Sequence, residues 1–178
     1  MPFSRGVRRG VPAGVCATLV MDASMVLASR LAPELFATDK VDVNLIGRWA
    51  AGLGRGRRRG VEITAAPRVR GEVAVGLGAH YLTGIALTEA YLMALSALGL
   101  RPGPVKATAF GVGTAVLPLV VMYPSMGYGC CGRHSGDARR LVSLMLLGHV
   151  AFGAGIGLCT GYPTHGVHRR GAFRRSSV

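Results

Sequence analysis

Apolar positions in this chain gather into four long runs, over residues 11–31, 72–100, 105–126 and 141–161, and each run is broken by an isolated polar or kinking residue. Each is about the 20 residues a helix needs to cross a bilayer, or longer. In the fourth run His149, Gly153, Gly157 and Gly161 recur at intervals of four, so they share one helix face with little side chain on it. Gly76, His80 and Gly84 repeat that pattern in the second run, and Thr18, Asp22, Met25 and Ser29 make a mildly polar stripe in the first. Pro118 lies well inside the third run and predicts a kink that frees a backbone carbonyl. The fold expected is all-α: a polytopic bundle of four transmembrane helices.

The connections complete the plan. Residues 1–10 form a basic N-terminal segment. The run after it is similar to a signal peptide, but Asp22 interrupts it and it is long enough to span, so it reads as the first transmembrane helix. The first connection contains VNLIGRWAAGL, which puts Ile46, Trp49, Ala50 and Leu53 on one side of a short helix. Trp49 and Arg48 suit the headgroup zone, so this piece is expected to be interfacial or reentrant. Next come Arg55, Arg57, Arg58 and Arg59, read as a topology determinant that touches anionic lipid; the sharper alternative is a clamp for an anionic substrate. No GxxxxGK[ST] is present to make a phosphate loop. Residues 162–178 are a basic tail expected to be disordered. Basic residues favour the first and third connections, which positive-inside counting places in the cytoplasm with both ends outside, although the basic N-terminus pulls the other way.

Composition supports lipid as the solvent. Half of the residues are hydrophobic, only 16% are charged, and the mean hydropathy is +0.39. A net charge of +13 would otherwise point to nucleic acid, but the arginines sit mainly between the apolar runs, so anionic lipid is the expected partner and nucleic acid is not. Cys16 and Cys159 fall inside apolar runs and read as small buried residues; Cys130 and Cys131 have no metal-ligand spacing, and no obligatory disulfide is expected.

The chemistry concentrates in three residues. Counted from the helix ends on one membrane side, Asp22, His80 and His149 all lie roughly 12–14 Å deep, at about 1.5 Å per residue. A carboxylate and two imidazoles at one level are the ligand types of a facial metal triad, and equally of a proton relay or of a purely structural polar layer. No cofactor is predicted beyond such a metal ion. Secondary candidates are Glu89, on nearly the opposite side of its helix from His80, with Tyr123, Asn44 and Arg48.

Taken in order, GVCATLVMD ending at Asp22, NLIGRW from Asn44, RGRRRG, HYLTGIA from His80, YPSMGYG from Tyr123 and HVAFGAGIG from His149 resemble the domain of unknown function 2938 family of predicted bacterial inner-membrane proteins. Tyr123 stands where that family often has glutamine, and Glu89 is not typical of it. The resemblance implies a topology and an inner-membrane location, not an activity. Two function classes follow. One is a non-enzymatic membrane protein: a small transporter-like or proton- or ion-handling module, or a subunit with a membrane partner or a second copy of itself. The other is a membrane-embedded enzyme acting on a lipidic or anionic substrate at the Asp/His layer. The absence of GxSxG and HExxH motifs weighs against the enzyme, and a cavity of several hundred cubic ångströms opening toward lipid would weigh for it.

Overall fold

The computed structural model describes residues 3–37, 39–53 and 62–161, and these contain helices and no strand. The long elements are α1 (Phe3–Leu31), α4 (Glu72–Ala97), α5 (Pro104–Thr114) and α7 (Ala138–Gly161); α2 (Pro33–Phe36) and α3 (Val43–Leu53) lie in the first connection. After α5 the third run continues as a π-helical stretch, Leu117–Met122, and ends in α6 (Tyr123–Ser125). Pro118 has no N–H to give the carbonyl four residues back, and the ladder widens here: the Tyr123 N–H reaches the Pro118 carbonyl. The expected kink is thus a π bulge, and α5, the bulge and α6 form one bent rod.

Helices α1 and α7 both start before their apolar runs. At α7 the Asp137 carbonyl takes the Leu141 N–H at 3.0 Å and the Asp137 N–H bonds Ser135 Oγ at 3.1 Å, so the helix starts at Ala138. Hydropathy marks where apolar contact begins, whereas the backbone and its caps decide where the helix begins.

Four rods stand side by side: α4 packs on α1, α1 on α7, and α7 on α5. Among the described residues three segments, Gly10–Leu31, Pro104–Ser125 and Ala138–Thr160, are long and apolar enough to cross a membrane. The most apolar window of the third is 56% buried, against 28% and 22% for the other two, which places α7 at the centre. Leu19, Leu27, Leu82, Val105 and Val116 face outward, as apolar residues do when lipid is the solvent. The glycine stripe of α7 is what lets α5 approach: a Cβ on Gly153 would stand 2.5 Å from the Ala107 carbonyl oxygen, and one on Gly157 2.8 Å from Pro104 Cα.

One end of the bundle is capped. Leu45 of α3, Ile63, Ala66, Tyr123, Met126, Tyr128, Leu141 and Met145 form a buried cluster there. Arg48 fastens it. Its guanidinium donates twice to the Glu72 carboxylate, at 2.9 Å each, and once to the Ala66 carbonyl at 3.0 Å. Arg48 is 7% exposed and Glu72 8%, so Arg48 fastens the cap from inside and does not present its guanidinium outward. The two hydrogen bonds from Arg48, then the Val69 N–H, hold the Glu72 carboxyl down at about 2. The Trp49 indole N–H donates to Ser125 Oγ at 2.8 Å, so α3 is strapped between α4 and the end of the bent rod. At the other end, Cys159 is exposed rather than buried, with its Sγ 2.7 Å from Cys16 Sγ.

Candidate functional site

The first half of the site forms where α1 and α4 touch. Gly14 lets the helices close, since a Cβ there would be 2.7 Å from Ile85 Cα, and Gly84 meets Thr18. At that separation Asp22 of α1 reaches two side chains of α4. His80 Nε2 lies 2.8 Å from Asp22 Oδ1, and the Tyr81 hydroxyl donates to Oδ2 at 3.0 Å. The two rings stand edge to face, 5.6 Å apart. A carboxylate oxygen accepts, so the His80 nitrogen facing it is the donor. Nδ1 has no hydrogen-bond partner among the described residues.

The second half forms between α5 and α7. His149 Nδ1 lies 2.9 Å from Thr114 Oγ1, and Thr114 gives its own proton to the Gly111 carbonyl at 2.6 Å. The threonine can therefore only accept from the imidazole, so His149 carries its proton on Nδ1 and Nε2 is the bare nitrogen. His149 is 8% exposed.

Both halves line one cavity of about 670 Å³, whose wall includes Thr18, Asp22, His80, Thr114 and His149 together with apolar side chains of all four rods. The volume is in the range of small-molecule sites. The structure thus joins Asp22 to His80 directly and places His149 on the same cavity with a different partner, Thr114. Among the described residues no group of three His, Cys, Asp or Glu side chains is placed to hold a metal ion.

The secondary candidates lie elsewhere. Glu89 is packed against Gly10 of α1, with one carboxylate oxygen buried and without a hydrogen bond. Tyr123 is fully buried in the cap with an unbonded hydroxyl. Asn44 bonds Asp42 at the start of α3, on the outside. Arg55, Arg57, Arg58 and Arg59 fall outside the described residues. Sequence reasoning missed Tyr81, Thr114 and Glu72. Tyr81 gave a signal only through its adjacency to His80. Thr114 gave none, because a threonine inside a helix ordinarily bonds its own backbone.

These features define a class: a helical protein with, among the described residues, three helices able by length and composition to cross a membrane. Within it the chain belongs to the family described as Protein of unknown function (DUF2938), whose match covers residues 11–161. No curated protein and no solved structure matches the chain.

Proposed function

We propose that the chain is an integral protein of a bacterial plasma membrane, in which α1, α4, the bent rod and α7 each cross the bilayer, and that His80, oriented by Asp22, exchanges a proton with a molecule held in the cavity. The fourth crossing rests on α4. Its 26 residues give a rod of about 39 Å, longer than the roughly 30 Å hydrocarbon layer, so Glu72 reaches the interface while His80 lies within. The observation that carries the proton reading is the Asp22–His80–Tyr81 contact on the cavity wall. A carboxylate in the middle of a membrane costs about 2.5–3.5 kcal/mol on insertion scales. Here it fixes one tautomer of a histidine and leaves the other nitrogen as a base, the arrangement general-base chemistry uses.

A second reading is favoured by the cavity itself. Its volume and apolar walls suit a membrane-embedded enzyme acting on a lipidic substrate. One preparation tests both. Proteoliposomes of the full chain in a total bacterial lipid extract are assayed for proton movement with a trapped pH dye, and their lipids are then analysed by mass spectrometry. Asp22→Asn and His80→Gln, inserted to wild-type level, should lower whichever signal appears by about 10²-fold, the low end for removal of a general base. Inserted variants that behave like wild type would overturn the proposal.

A further inference from the structure

The cavity is open on one side, and its charges are unevenly placed. Helices α4 and α5 touch near the loop that joins them, where Tyr91 and Phe110 rings are 5.1 Å apart. Toward the cap they part, for the packing neighbours of α4 are α1 and α3. The resulting slit is rimmed by Leu77 of α4 and by Leu117 and Val121 of the bent rod, cavity residues that are 45%, 46% and 58% exposed. Apolar side chains that line a cavity and also face outward mark a sideways entrance for something apolar. The cap end of the same cavity is closed by Ile46 and Trp49 of α3.

Two residues of full charge line it, Asp22 and Arg30. Asp22 is engaged by His80 and Tyr81. Arg30, in the last turn of α1, is exposed, and among the described residues no carboxylate pairs with it. It lies about 12 Å along α1 from Asp22, on the cap side. The cavity therefore presents an unmatched guanidinium at the membrane-surface end, apolar walls of Met25, Val26 and Leu77, and deeper histidines whose second ring nitrogens have no hydrogen-bond partner among the described residues.

We infer that this cavity binds an anionic phospholipid, its phosphate on Arg30, its polar linkage turned toward His80 and His149, and its acyl chains leaving through the slit between α4 and the bent rod. A guanidinium matches a phosphate in charge and in fork geometry, and the slit accounts for the chains. The inference rests on the reading of the chain as a membrane protein, and names the class of molecule that the proton-exchanging site would meet.

Trp49, on the cavity wall, is the only tryptophan of the chain and reports occupancy. The full chain is reconstituted in phosphatidylcholine vesicles that contain rising fractions of phosphatidylglycerol brominated on its acyl chains, and in parallel of brominated phosphatidylcholine. Bromine quenches indole emission on contact. The anionic lipid should quench saturably and with about fivefold stronger preference than the zwitterionic one, the factor one interfacial cation contributes. Arg30→Gln should bring the two curves together and Arg30→Lys should keep most of the difference; both changes are at an exposed position. Free inorganic phosphate should not relieve the quenching. Coincident wild-type curves, unchanged selectivity in inserted Arg30→Gln, or relief by free phosphate would each overturn the lipid assignment while leaving the membrane reading intact. Absence of quenching by either lipid would overturn the lipid assignment as well, whereas failure of the chain to float with the vesicles would overturn the membrane reading itself.

Discussion

Replacing Gly153 with alanine adds one methyl group where α7 meets α5. The new Cβ would stand 2.5 Å from the Ala107 carbonyl oxygen and 2.7 Å from Thr108 Cα. Both are backbone atoms, so no side chain can swing aside, and the helices must part by about 1 Å to restore ordinary contact. That movement stretches the 2.9 Å Thr114–His149 bond, on the same pair of helices, beyond hydrogen-bond range. Overpacking of this kind costs about 1–3 kcal/mol, and an interhelical hydrogen bond in a membrane averages about 0.6. Alanine returns about 0.8–1 kcal/mol of helix propensity. The net loss is about 1–3 kcal/mol. Gly113→Ala is the control, because nothing lies within 4 Å of its Cβ position; it should gain up to about 1 kcal/mol. Thermal unfolding in detergent reads the contrast, at about 2–4 °C per kcal/mol for a chain of this length. Equal midpoints for Gly153→Ala and Gly113→Ala would refute the account of how α5 and α7 pack.

Two further outcomes follow from contacts outside the cavity. The Glu72 carboxyl is lowered from 4.5 to about 2 by Arg48, so the ion pair contributes fully above the unfolded value and is lost as pH falls toward 2; wild type should therefore lose more thermal stability between pH 6 and pH 3 than Glu72→Gln, and parallel losses would count against the pair. Cys16 and Cys159, with sulfurs 2.7 Å apart, should be joined within one chain by a mild copper–phenanthroline oxidation, as seen by peptide mass spectrometry; a link that forms only between chains would contradict the α1–α7 packing.

The parts of this fold that can be read from sequence are those where long apolar helices leave few alternatives. Small residues spaced by four along α7 have one use in a bilayer, close approach of another helix, and Gly153 and Gly157 do meet α5. A lone Asp and a lone His in separate apolar runs need partners, and equal depth makes Asp22 and His80 partners for each other. Other features depend on the cap, which hydropathy does not describe. Arg48 beside Trp49 reads as an interfacial pair, and only the folded first connection turns it inward onto Glu72. Counting from Leu141 puts His149 at the Asp22–His80 level, and it does line the same cavity, but a neighbouring threonine takes its bond, which no spacing announces. The slit is beyond a one-dimensional pattern, since it exists only because α4 and the bent rod diverge.

The central claim is that His80 stands between Asp22 and a lipid-accessible space. Solid-state NMR of the labelled full chain in phosphatidylglycerol-containing bilayers tests it in one sample. The account predicts a through-space correlation between His80 Nε2 and the Asp22 carboxylate carbon, together with contacts from the same ring to lipid acyl protons. A His80 ring that shows neither Asp22 nor acyl chain, and correlates with bulk water alone, would contradict it.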